Sequence, residues 1–190
     1  STREVMKNIP PEIQARFREA GVLYVRNYGD GFGLPWQTVF QTEERAEVEA
    51  YCASVGIEVE WKAGNRLRTK QKGPAVVRHP RTGEEVWFNH GTFFHISTLP
   101  AAIRTSLQAS FADDELPTNT FYGDGSPIEP AVLETLRAAY LASLVRFQWQ
   151  QGDVLFIDNI LAVHGREPFT GKRAILTGMA EALLATEIQL

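Results

Sequence analysis

One cysteine, Cys52, in 190 residues leaves no partner for an intrachain disulfide, so packing alone must hold the fold. No histidine or basic cluster stands beside it in sequence, and its expected role is an inert buried thiol. No apolar run reaches the roughly 18 residues that mark a membrane-spanning helix. The opening residues, STREVMKNIPPEIQ, lack the apolar core of a signal peptide, and a cytoplasmic protein without membrane attachment is expected. Positive charge is not in excess either: the formal net charge is -4, which argues against a nucleic-acid surface. The one basic stretch, RLRTKQK at 66–72, is expected to be a solvated strand or loop. Repeats, low-complexity tracts and linkers are absent, and the length suits a single domain, 1–190, with a real core. The GDG at 123–125 lacks the glycine spacing and the lysine of a phosphate loop.

What is present reads as short strands with a few helices. Pro10, Pro11 and Glu12 open a helical pattern that puts Ile13 and Phe17 on one face and stops at Gly21. Residues 22–28 follow as a strand, 43–53 as a helix, and 57–61 alternate as an edge strand does. Further strands are expected at 66–71 and 75–78, where the HPRTG turn at 79–83 reverses the chain into 85–89. A helix at 100–110 carries Ile103 and Leu107, and Ser126-Pro127-Ile128-Glu129 has the form of a helix start with Ser126 as its cap. Val145, Phe147 and Trp149 then alternate as a strand, with another at 154–157 beyond Gly152. The expected class is mainly β with peripheral helices, a double-stranded β-helix of the jelly-roll or cupin kind, in which a closed sheet protects many short edges.

The richest stretch chemically is QQGDVLFIDNILAVHGREPFTGKRAILTGMAE at 150–181. An apolar run leads to His164, a loop with Gly165, Pro168 and Gly171 follows, and Arg173 opens a second apolar run to residue 184. Neutral imidazole is a ligand for Fe(II), and a guanidinium makes a two-pronged pair with a carboxylate. If the two runs are neighbouring antiparallel strands, His164 and Arg173 both point into the mouth of a barrel. The segment resembles the C-terminal part of TauD/TfdA-like Fe(II)/2-oxoglutarate dioxygenases, the clavaminate-synthase-like and SyrP-like branch in particular. HPRTGEEVWFNHGTFFHISTLP at 79–100, ELPTNTFYGDGSPIEP at 115–130 and FQWQQGDV at 147–154 agree with that branch in order.

The resemblance implies His164 as a metal ligand and Arg173 as the anchor of the 2-oxoglutarate distal carboxylate. Arg166 is expected to pair with Glu167 or a nearby acid, or to touch substrate. Asn89, at the end of a strand, either fixes polar groups of the substrate or is satisfied locally. His90 and His95 flank GTFF five residues apart, on opposite faces of a regular strand, so one can line the pocket. His79 sits in a turn and is expected to be structural. Asp158 and Asn159 either orient His164 or are turn residues. The FYGDGS loop is a candidate cover for the site, with a plain turn as the alternative.

The family's metal site also needs an HxD or HxE pair, and this chain has none: Arg81, Thr92, Ser97 and Arg166 stand two residues after the four histidines. The expectation is therefore the C-terminal portion of a dioxygenase jelly roll, with the missing pair upstream. For the intact enzyme the resemblance implies Fe(II) and 2-oxoglutarate as cofactor and cosubstrate. It also implies oxidation of an amino-acid-like substrate, in some relatives tethered to a carrier protein in natural-product assembly. The competing expectation is a catalytically silent jelly-roll module that binds a small acid or a partner.

Overall fold

The computed structural model describes residues 1–29, 31, 33–172, 174–183 and 188. Two helices, α1 (Thr2–Lys7) and α2 (Pro11–Ala20), lead into strand β1 (Val22–Tyr28). Pro11 takes the first turn of α2, where a missing N–H costs nothing, and Gly21 ends the helix at φ +73°. Helices α3 (Trp36–Phe40) and α4 (Arg45–Ser54) precede β2 (Ile57–Lys62) and β3 (Arg66–Gly73). The hairpin β4 (Val76–Arg78) and β5 (Glu85–Trp87) follows, then α5 (Gly91–Phe94), α6 (Ala101–Ser110), β6 (Thr118–Tyr122) and α7 (Pro130–Ala142).

Four strands form one antiparallel sheet in the order β2-β3-β1-β6, and β4 pairs with β5 separately. The expected edge strand at 57–61 is indeed an edge. In the hairpin turn, His79 N–H donates to Glu84 O and Gly83 N–H to His79 O, both at 2.8 Å.

Alternation puts Val22, Tyr24, Arg26 and Tyr28 on one face of β1. At one end of that face, Val22 joins Phe17, Trp87, Tyr122, Leu133 and Leu136 in the largest apolar cluster, with Phe17 edge-on to Trp87 at 5.1 Å. At the other end Tyr28 and Leu67 pack with Trp36, Val48 and Cys52, the last two one turn apart on α4. Cys52 is fully buried, and burial raises its thiol pKa, as an inert thiol requires. On edge strand β6, Thr120 and Thr118 donate to Gly91 O and Phe94 O, while Asn119 Oδ1, pointing the other way, accepts from Ile96 N–H. The segment 91–96 thus packs along this edge of the sheet.

Of the expected architecture, helices and antiparallel sheets are present, consistent with a cupin-like fold, and closure into a jelly roll is not seen among the described residues. Other expectations are corrected. The stretches 145–149, 154–157 and 174–183 form no strand. Alternating apolar residues mark a surface that fits a strand but do not provide the neighbour whose N–H and C=O groups must complete the ladder. GTFF is a short helix, so the opposite-face argument for His90 and His95 does not apply. Helix α7 starts at Pro130, one turn later than expected, because the Ser126 hydroxyl donates to Asp124 Oδ1 (2.6 Å) and caps no helix. Within RLRTKQK, Arg68 is buried at 6% exposure, pairing with Asp114 at 2.9 Å and donating to Asn27 Oδ1.

Candidate functional site: a cleft on the sheet face

Between the two apolar clusters the same sheet face opens into a cleft of about 1080 Å³. The floor is Tyr24 and Arg26 of β1 with Thr69 and Gln71 of β3, which the register sets opposite them. Phe40 and Tyr51, from α3 and α4, form one wall. Phe88, Asn89, His90 and Phe94 form the other. The size and the aromatic lining suit a small organic ligand.

Two contacts fix the floor. The Tyr24 hydroxyl accepts from His90 N–H at 2.9 Å, and burial raises its pKa against the opposing influence of that bond and of Arg26. The Arg26 guanidinium lies over the Phe94 ring, 4.7 Å from its centroid, a cation–π contact. Neither residue stands out by motif; a Tyr-x-Arg-x-Tyr alternation in β1 is the only signal in sequence that they share a face.

The structure places Asn89 and His90 together at this cleft. The Asn89 side chain is engaged locally, donating to Ala75 O (3.0 Å) and accepting from Gly91 N–H (2.9 Å), which starts α5. His90 is exposed, its ring 6.2 Å from that of Phe94. His164 and Arg166 are exposed in the extended segment after α7 and do not line the cleft. Glu167 pairs with Arg146 rather than with Arg166, at 2.5 Å. Arg173 lies outside the described residues.

His79 is structural, as expected from its turn. Its Nδ1 accepts from Thr82 N–H at 3.1 Å, so Nε2 carries the proton and donates to Asp158 Oδ2 at 2.9 Å. Asp158 Oδ1 accepts from Ile160 and Leu161 N–H. Burial opposes ionisation of Asp158, but these bonds prevail and its pKa falls below the ordinary carboxylate value. The Thr2 hydroxyl donates to Ile160 O, and Ile160 packs on Val77 and Val86. Residues 158–161 are thereby strapped to the hairpin and to α1; Asp158 orients His79, not His164. The FYGDGS loop is no cover for the cleft. Asp124 pairs with Arg16 of α2 at 2.7 Å, and hydrogen bonds from Ser126, with Arg16, hold its pKa at about 2.

Among the described residues no three His, Cys, Asp or Glu side chains are placed to hold a metal ion. His164 is a chemically suitable donor without companions, so these residues do not by themselves fit an iron centre.

Mixed helices and antiparallel sheets with an aromatic-lined cleft define an α+β protein. The chain belongs to the TauD/TfdA family: the model described as "Taurine catabolism dioxygenase TauD, TfdA family" matches residues 1–180. It is 44% identical over 177 residues to the dapdiamide synthesis protein DdaC of Enterobacter agglomerans, covering 93% of this chain and 54% of that protein. It is 27% identical over 190 residues to the clavaminate synthase-like protein At3g21360 of Arabidopsis thaliana, covering 94% of this chain and 53% of that one. The chain thus spans about half the length of the curated relatives it matches. No helix among the described residues is long and apolar enough to cross a membrane.

Proposed function

We propose that this chain is the C-terminal portion of an Fe(II)/2-oxoglutarate-dependent oxygenase acting on an amino-acid-like substrate in natural-product biosynthesis. The observation that carries the reading is the family match over residues 1–180, joined to 44% identity with a protein of dapdiamide synthesis. Bound iron in such an enzyme would supply dioxygen activation coupled to decarboxylation of 2-oxoglutarate. On this reading His164 donates one imidazole to the metal and Arg173 pairs with the distal carboxylate of 2-oxoglutarate. Asn89, His90 and Arg166 face the substrate, which is free or carried on a carrier protein. The protein works in the cytoplasm without nucleic acid or membrane.

A second reading, a binding module without catalysis, draws on the lack of a three-donor group among the described residues. Succinate release separates the two. The full-length protein supplied with Fe(II), oxygen and 2-oxoglutarate is expected to form succinate, and to stop when iron is chelated. Absence of iron-dependent succinate, with ligand binding intact, would favour the module. Arg173→Ala is expected to weaken 2-oxoglutarate binding by about one to two decades, the worth of one charge-assisted pair. Calorimetry showing unchanged affinity would remove Arg173 from that role.

A further inference from the structure

Arg26 is the feature of the cleft that the fold leaves unexplained. It projects from a central strand, half-buried, and its direct cross-strand neighbours are Thr69 and Thr118, both neutral. Among the described residues it forms no ion pair; its side chain meets the Phe94 ring face, and its charge also acts on the neighbouring Tyr24 hydroxyl. The one carboxylate lining the cleft among the described residues, Glu47, accepts a hydrogen bond from Thr42 near the α4 wall. A guanidinium whose observed contact is a ring face has N–H groups left for another partner, and those form a fork matched to a carboxylate. Beside it the Thr69 hydroxyl and the Gln71 amide offer neutral donors and acceptors on the adjoining strand, and aromatic walls suit an apolar body.

We propose that Arg26 anchors the carboxylate of an N-acyl amino acid, or of an equivalent amide-bearing acid, bound in this cleft. Thr69 and Gln71 face the amide and the aromatic walls, Phe40 and Tyr51 opposite Phe88 and Phe94, face the side chain. The inference rests on the oxygenase reading only in naming this acid as its substrate. A carboxylate could equally come from 2-oxoglutarate, so the two sources are separated in the test.

The experiment is calorimetric titration of the full-length protein, without iron or turnover, using N-acetylglycine, N-acetylleucine, N-acetylphenylalanine and their primary amides, and 2-oxoglutarate separately. At least one acid is expected to bind about tenfold or more tightly than its amide. Arg26→Gln is expected to weaken that acid about ten- to hundredfold and to leave both the amide and 2-oxoglutarate unchanged, while Arg26→Lys retains part of the preference. The acid-over-amide preference of the unmutated protein needs no variant to fold, and its absence overturns the proposal. Loss of 2-oxoglutarate binding alone in Arg26→Gln also overturns it, by assigning the guanidinium to the cosubstrate. Because no turnover is measured, failure here leaves the oxygenase reading standing, and failure of succinate formation leaves this binding result standing.

Discussion

His95 occupies a position where a proton is unwelcome. Burial, followed by the nearby Arg137 charge, lowers its pKa from 6.5 to about 4, with Asp113 opposing. Its Nδ1 accepts from Ser97 N–H at 3.1 Å, and the Ser97 hydroxyl in turn accepts from Arg137. The folded pKa lies below the unfolded one, so the unfolded chain binds the extra proton. This contribution to stability is fully present above pH 6.5 and is lost as pH falls toward about 4. Urea midpoints measured between pH 7 and 5 should decline, and His95→Gln should flatten part of that decline; an unchanged slope would contradict the assignment. In sequence His95 is one of a pair of histidines around two phenylalanines, and aromatic content favours a strand reading. What decides otherwise is Asn89, whose Oδ1 accepts from Gly91 N–H where α5 begins. Arg26 was equally hidden, because nothing in a single strand reveals that no counter-charge faces it.

Among the elements, those legible in the sequence carry their own start and stop signals. Helix α2 has prolines before it and Gly21 after it, and the β4–β5 hairpin has HPRTG between its strands. The strands expected after α7 have alternation but no pairing partner, and alternation alone cannot supply one. The β1–β6 pairing, absent from the sequence reading, depends on Gly123, where a Cβ would sit 1.9 Å from Ala20 O. Gly123→Ala must push the ends of α2 and β6 apart, and a loss of at least about 2 kcal/mol is expected by chemical denaturation. The strap at 158–161 makes a second prediction. Asp158→Ala leaves the buried Nε2–H of His79 without its acceptor, at a cost of about 1–3 kcal/mol, and should speed limited proteolysis after residue 143. Proteolysis unchanged from wild type would show that the apolar contact of Ile160 holds the segment unaided.

For the molecule as a whole, the roughly three-quarters of the chain before residue 144 and the part that follows, which carries His164 and Arg166, stand differently. The first builds a sheet and two main apolar clusters from its own residues, and nearly all of the cleft, to which Ile188 also contributes. The second carries His164 and Arg166 on an extended segment whose Val154, Phe156, Leu176 and Met179 are 90% to 97% exposed. The family was legible because several ordered segments resemble it, and the match over 1–180 agrees. A full ligand set for the proposed iron was not, since it requires side chains from several segments and only one imidazole donor could be named. That donor is also the cleanest test, because an exposed side chain can be removed at little cost to folding, typically within about 0.5 kcal/mol. The decisive measurement is iron-dependent succinate formation from 2-oxoglutarate by the full-length protein and its His164→Ala variant, with thermal unfolding recorded for both. Turnover in the wild type and its loss in an equally stable variant are expected. Undiminished turnover of His164→Ala after metal reconstitution would contradict His164 as the ligand.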